Sequence, residues 1–331
     1  MKILFYGAGV LGSLYAARLQ EAGQEVSILA RGQRLADIRE HGIVLEDGDT
    51  GQRTTTRIKA VEHLAPDDAY DLVVVLMRKN QVSAILPDLA ANQHSPSILF
   101  MNNNVAGPDE MVEALGKERV LLGFPGAAGH RDGHVVTVKV TAGRQQPTTF
   151  GELDGRTTPR LKKIVETFKL AGFPVATNPN MDAWLKTHVA EVSPAANAIY
   201  MAGGDNNRLA RTRDGLVLMV RAIREGYRVL QALGVPITPT NHKIFNWIPE
   251  PILVALMRRL LNTKTAEIEI AGHANAARDE FKHLAAEFRT LAQTTSVPTP
   301  VMDRLYTYID PAVPPLSEGS AQISPSWRGG W

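Results

Sequence analysis

The chain has 331 residues, enough for about two domains, and its 44 % hydrophobic and 21 % charged residues are the balance of a globular protein. A formal net charge of +2 is too small to argue for nucleic acid or an anionic membrane as partner. With no cysteine, disulfides, thiol catalysis and thiolate zinc sites are excluded.

Lys2 to Tyr6 reads as a buried strand, and Gly7, Gly9 and Gly12 follow it as G-x-G-x-x-G before a helix from Ser13 to Glu21. The first glycine permits a tight turn. The second lets a pyrophosphate approach the backbone, and the third lets helix and strand pack closely. The N–H groups of Ala8, Val10 and Leu11 stand at the helix entrance, where the dipole favours phosphate. Gly7, Ala8, Gly9, Val10, Leu11 and Gly12 are therefore expected to hold a dinucleotide. A second strand, Glu25 to Leu29, runs into Ala30-Arg31-Gly32-Gln33-Arg34 with no acidic residue for ribose hydroxyls. A guanidinium there suits a 2′-phosphate, so Arg31, with Arg34 in support, is expected to select NADP(H).

A short helix over Leu35 to Glu40 stops near Gly42, and Ile43 to Leu45 and Thr54 to Ala60 read as strands around Asp47-Gly48-Asp49. Asp71 to Leu76, Ser97 to Met101 and Val120 to Gly123 are apolar runs of parallel strands covered on both faces. Helices fit at Gln81 to Ala91 and Asp109 to Leu115, giving a parallel, doubly wound α/β sheet of the Rossmann type. His134 to Val140 and Thr148 to Gly151 suggest an antiparallel hairpin closing the sheet edge. A helix from Pro159 to Leu170 and a strand from Phe173 to Ala176 complete a first domain over residues 1–178. The first residues form a strand rather than a signal peptide, and no stretch is apolar enough to span a bilayer, so a cytoplasmic protein is expected.

Beyond Asn178-Pro179-Asn180 the pattern is helical: Met181 to Ala202, Asp205 to Leu233, Pro251 to Leu261 and His273 to Thr294. An all-α second domain over residues 179–331 is expected, with a Pro/Ser/Gly-rich tail from about residue 311. The apolar content of this domain, Ile252 to Leu261 for example, suits a homodimer formed through it, with a monomer as the alternative. His130 and His134, separated by a turn, point to no metal site.

Ligands in such sheets sit outside the carboxyl ends of the strands. Met77 to Gln81 and Asn102 to Asn104 are polar there and suit a nicotinamide ribose and a substrate carboxylate. Reduction of a carbonyl also needs a proton donor. Lys186, opening the helix after the linker, can face the cleft between domains, with Ser193 and Asn197 on its helical face.

In order and spacing, residues 1 to about 310 resemble the ketopantoate reductase family, the 2-dehydropantoate 2-reductases of pantothenate biosynthesis. The matching features are the glycine loop, Arg31, the basic-x-x-Gln segment from Arg78 to Gln81, Asn103 at a central strand end, and W-x-K at Trp184 and Lys186. Thr265-Ala266-Glu267-Ile268-Glu269 resembles the family's T-E-I-D segment. The resemblance implies cofactor contacts from Arg78, Gln81 and Asn103, Lys186 as general acid, and Glu267 as the glutamate that organises the site. Asn103, Lys186, Ser193, Asn197 and Glu267 would then meet substrate. The chain departs from the pattern where two asparagines are expected, at Ala190 and at Pro194 or Ser193. The implied activity is NADPH-dependent reduction of a different 2-oxo acid or ketone, a small molecule. The alternative is a non-catalytic NADP(H)-binding sensor.

Overall fold

The computed structural model describes residues 1–139 and 146–327. The chain divides into two units: Met1–Asn102 with Gly107–Asp182, and Asn103–Ala106 with Ala183–Trp331.

The first unit carries β1 (Lys2–Tyr6), α1 (Val10–Glu21), β2 (Glu25–Leu29), α2 (Gly32–His41), β3 (Ile43–Asp47), β4 (Arg53–Thr56), β5 (Lys59–Val61), β6 (Leu72–Val75), α3 (Leu86–Ala91), β7 (Ile98–Met101), α4 (Asp109–Leu115), β8 (Val120–Phe124), β9 (Ala128–Asp132), β10 (Val135–Lys139), β11 (Thr148–Glu152), α5 (Pro159–Leu170) and β12 (Val175–Thr177). Its main sheet runs β12-β11-β8-β7-β6-β1-β2-β5. The strands from β8 to β5 are parallel, and the apolar runs of β6 and β7 are buried throughout, as expected of strands covered on both faces. β1 and β2 pair in register from Lys2 with Glu25 to Tyr6 with Leu29, which brings the glycine loop and Arg31 to the same sheet edge.

The expected hairpin does not form. β10 pairs antiparallel with β9 and parallel with β3 in a second sheet, ordered β4-β3-β10-β9. β11 instead lies antiparallel to β8 in the main sheet. Both segments alternate, and alternation alone does not say which edge a strand joins. Residues 140–145, which hold the end of the first expected strand and most of the turn after it, lie outside the described residues. The strand expected over Thr54 to Ala60 likewise divides into β4 and β5, which belong to different sheets.

The second unit is helical: α6 (Met181–Met201), α7 (Asn206–Arg211), α8 (Arg213–Ala232), α9 (Ile244–Trp247), α10 (Glu250–Leu261), α11 (Lys264–Ala266), a π-helical turn at Glu267–Gly272, α12 (His273–Ala276), α13 (Arg278–Gln293) and α14 (Pro300–Tyr306). The long helix expected from His273 breaks at Ala277, which leaves helical geometry between α12 and α13. α6 and α8 approach closely at Gly226, where an added Cβ would lie 3.1 Å from Ala190 Cβ. α10 buries Leu253, Val254 and Leu261 and leaves Ile252, Leu256 and Leu260 exposed, with Trp247 and Ile244 exposed nearby. Among the described residues, no helix is long and apolar enough to cross a membrane.

As far as it is described, to residue 327, the tail is a strap on the helical unit. Arg208 donates to Leu316 O at 2.8 Å, and Arg211 pairs with Glu318 at 2.7 Å. Buried Asp214 accepts from Gln322 N at 2.9 Å, from Ile323 N at 2.8 Å and from the Ser320 hydroxyl. Ser326 N reaches the fully buried Glu250, which also holds Arg221. Burial works to raise the Asp214 carboxyl, but the bonds from Ser320, Ile323 and Gln322 outweigh it and hold it below its ordinary value. A depressed carboxylate contributes stability that is present above its unfolded pKa, about 4, and lost as pH falls through the folded one. Asp214→Asn is expected to cost roughly 1–3 kcal/mol at neutral pH, since one carbonyl oxygen replaces a charged acceptor of three bonds. Urea unfolding checks this: the gap between native protein and variant should close as pH is lowered, and a gap independent of pH would refute the assignment.

Candidate active site

The glycine loop has three different environments. Gly7 has φ +121°, and a Cβ there would meet Leu76 O at 2.5 Å. Gly12 lies under the loop, where a Cβ would come within 1.9 Å of Gly7 O. Gly9 faces open space, with nothing within 4 Å of an added Cβ. Gly9 also caps α1 without any side-chain bond, and the first turn of the helix holds no acidic residue. Backbone donors at a helix start, bare of competing acceptors and reached over a residue with no side chain, fit a pyrophosphate. Ala8 is buried, and Val10 and Leu11 are half-buried at that entrance.

Arg31 and Arg34 play different parts. Arg31 is exposed beside the end of β1, with Nη2 3.5 Å from the Tyr6 hydroxyl and 3.8 Å from Asp88 Oδ2. Arg34 is buried, and its fork is consumed inside the protein: Nε donates to Ala8 O at 3.1 Å, Nη1 to His134 O at 3.2 Å, and Nη2 to Ser13 Oγ at 2.7 Å. Burial, then the charge of Arg131, pushes this guanidinium down to about 10. The expectation that Arg34 supports a 2′-phosphate is corrected: it braces the glycine loop from behind. The spacing Arg31 to Arg34 was legible, but the direction of the fork depends on chain 100 residues away.

After β6, Arg78 is half-buried and precedes a 3-10 turn over Lys79–Gln81, in which Gln81 is exposed. The buried cation of this segment is Lys79, 3 % exposed, with its ammonium 3.7 Å from Glu110 Oε2.

In the helical unit, Lys186 is half-buried on α6, one turn before Ala190. The rest of that helical face is core. Ala190, Ser193 and Asn197 have no exposed surface, and Asn197 Nδ2 reaches Ser193 Oγ at 3.5 Å. Ser193 and Asn197, expected among the substrate contacts, are thus buried side chains in this structure, and Asn197 Oδ1 accepts no hydrogen bond from the described residues. Ala190 is buried and lies against Gly226 of α8. His188 stacks on Trp184 with ring centroids 5.3 Å apart. Burial, followed by the neighbouring His242 and His273, pushes its imidazole down to about 3, so it is neutral at physiological pH.

Glu267, the glutamate that the resemblance implies for the site, lies at the start of the π-helical turn. It is exposed and pairs with Lys264 at 3.2 Å, three residues before it on the helix. The glutamate with a site-like environment is Glu280 on α13. It is buried, accepts from Asn103 Nδ2 at 3.2 Å on Oε1, and has His273 Nε2 3.9 Å from Oε2. Asn103 itself is 5 % exposed, and its Oδ1 accepts no hydrogen bond from the described residues. A sequence signal for Glu280 exists. It shares a helical face with Leu284 and Phe288, at i, i+4 and i+8, so a carboxylate stands on a core-facing stripe.

Residues 3–155 match a family model described as ketopantoate reductase PanE/ApbA. A 2-dehydropantoate 2-reductase of Halobacterium salinarum is 26 % identical over 310 residues, 92 % of this chain and 96 % of that protein. Among solved structures, 2-dehydropantoate 2-reductase from Geobacter metallireducens superposes with a TM-score of 0.78 at 18 % identity, covering 95 % of this chain and 100 % of the other. A D-mandelate dehydrogenase solved with NADH and anilino(oxo)acetate gives 0.78 at 15 % identity, covering 93 % and 97 %. The Rossmann-type sheet followed by an all-α unit is thus a fold shared along nearly the full chain.

Proposed function

We propose that this chain, a divergent member of the ketopantoate reductase family, is an NADPH-dependent reductase of a 2-oxo acid or related ketone. The observation that carries the reading is the open, uncapped entrance to α1 over Gly9. When bound, NADPH supplies a hydride to the carbonyl carbon. The loop from Gly7 to Gly12 offers its backbone donors to the pyrophosphate, and Arg31 offers its guanidinium to the 2′-phosphate. Arg78, Gln81 and Asn103 remain the proposed contacts towards the nicotinamide end.

Lys186 is the proposed proton donor to the oxygen that gains charge. Glu280 takes the part first given to Glu267. Held by Asn103, its carboxylate can fix a substrate hydroxyl or the lysine's position, and Asn103 Oδ1 can accept from the same substrate. The substrate should make fewer polar contacts than ketopantoate does in the family. Position 190 carries an alanine instead of an asparagine, and Ser193 and Asn197 have no exposed surface. The D-mandelate dehydrogenase of the same fold was solved with an oxo-acetate compound, which favours including aryl and alkyl 2-oxo acids among the trial substrates.

The test is NADPH oxidation, followed by absorbance, across a panel of 2-oxo acids that includes ketopantoate. NADPH should bind at least about tenfold more tightly than NADH, the scale of one or two charge-assisted hydrogen bonds. Arg31→Ala should weaken NADPH to the level of NADH and leave NADH nearly unchanged. Equal affinity of the native protein for both cofactors would sink the NADPH assignment, and no turnover on any oxo acid would favour a sensor.

A further inference from the structure

The strand that precedes Arg31 ends without an acidic residue, yet the fold brings a carboxylate to that place from elsewhere. Asp88 lies in the first turn of α3, 57 positions along the chain from Arg31. Its Oδ2 accepts from the Tyr6 hydroxyl at 3.1 Å and stands 3.8 Å from Arg31 Nη2. Tyr6 is the last residue of β1, immediately before the glycine loop. Burial, and then the charge of Asp88, pushes the Tyr6 hydroxyl up to about 12, so it remains a donor and fixes the carboxylate in position. Both charged side chains are more than half exposed, 62 % for Arg31 and 52 % for Asp88. They stay open to a ligand while touching one another.

We infer that Asp88 sets how strongly this protein distinguishes NADPH from NADH, acting against Arg31. The inference rests on the reading of Arg31 as the 2′-phosphate contact. Two opposite preferences then meet at one spot. A guanidinium offers donors to a 2′-phosphate, whereas a carboxylate accepts from ribose hydroxyls and repels a phosphate. Asp88 also draws on the Arg31 guanidinium that the phosphate would use. Both effects favour NADH relative to NADPH, so the native preference is smaller than Arg31 alone would give.

The experiment measures dissociation constants for NADPH and NADH, by quenching of protein fluorescence, on native protein, Asp88→Asn and Arg31→Ala. Asparagine keeps an acceptor for Tyr6 and removes only the charge. At low ionic strength Asp88→Asn should tighten NADPH by roughly three- to fivefold, the scale of one exposed charge pair. NADH should stay the same or weaken. The gain should shrink in about 0.5 M salt, because exposed charges are screened. A purely structural part for Asp88 at the start of α3 would instead move both cofactors together, and that result overturns the inference. So does an unchanged NADPH-to-NADH ratio in Asp88→Asn while Arg31→Ala weakens NADPH; in that case the Arg31 reading stands. If Arg31→Ala leaves NADPH untouched, the 2′-phosphate reading fails, and the inference falls with it.

Discussion

Lys186→Ala is expected to lose at least about a hundredfold in turnover while its affinity for NADPH stays within a few-fold. A hydride arriving at a ketone carbon leaves negative charge on the oxygen, and a placed acid contributes typically 10²–10⁴-fold by stabilising and protonating it. Lys186 is half-buried at the start of α6. The neighbouring alternative, His188, is held neutral by burial and by two other histidines, so it has no proton to give near neutral pH. His188→Ala should therefore retain most activity, with some loss of stability from the stack on Trp184. The carboxylate assignments separate in the same assay. Glu280→Gln should raise the Michaelis constant and lower turnover by less than the lysine variant does, because it keeps the shape but loses the charge held by Asn103. Glu267→Ala should be within about twofold of native, as expected for a solvated pair with Lys264. Normal turnover in Lys186→Ala with a dead His188→Ala would reverse the assignment of the acid. A dead Glu267→Ala beside an active Glu280→Gln would restore the first reading of the T-A-E-I-E segment.

The parts of this site that could be read from sequence are those governed by contiguous residues. A glycine loop between an apolar strand and a helix is one local unit, and its three glycines differ in what surrounds them: backbone at Gly7 and Gly12, open space at Gly9. The parallel strands were legible because burial on both faces writes an unbroken apolar run. What contiguous residues do not carry is the choice between distant partners. Arg34 and Arg31 look alike in the chain, yet one fork turns inward to Ala8, Ser13 and His134 while the other stays outside. β10 and β11 alternate alike but join different sheets. No motif marks Glu280, thirteen positions beyond Glu267, whose place is set by the break at Ala277 and by Asn103 from a far segment. The π-helical turn at Glu267–Gly272 has no sequence signal of its own, and it shifts the phase of the residues that follow.

Gly9→Val is the variant expected to remove cofactor binding most completely, by at least about a hundredfold, with the fold intact. Gly9 has φ −71° and ψ −165°, an extended conformation that any residue adopts, so valine brings no backbone strain. An added Cβ meets nothing within 4 Å, so the protein itself has room for it. The same room is what a pyrophosphate needs to reach the N–H groups of α1, and each charge-assisted bond lost there costs about 1.5–3 kcal/mol. Loss of two such bonds already exceeds a hundredfold. Gly12→Ala should behave in the opposite way. Its Cβ would sit 1.9 Å from Gly7 O, a backbone atom that cannot rotate aside, so α1 must shift from β1 at a cost of roughly 1–3 kcal/mol or more. Calorimetric binding and thermal unfolding on both variants tell the two glycines apart: Gly9→Val should melt near the native temperature and bind no NADPH, whereas Gly12→Ala should melt lower. A Gly9→Val protein that binds NADPH with native affinity would remove the loop from the cofactor site, and with it the ground for placing Arg31 at the 2′-phosphate.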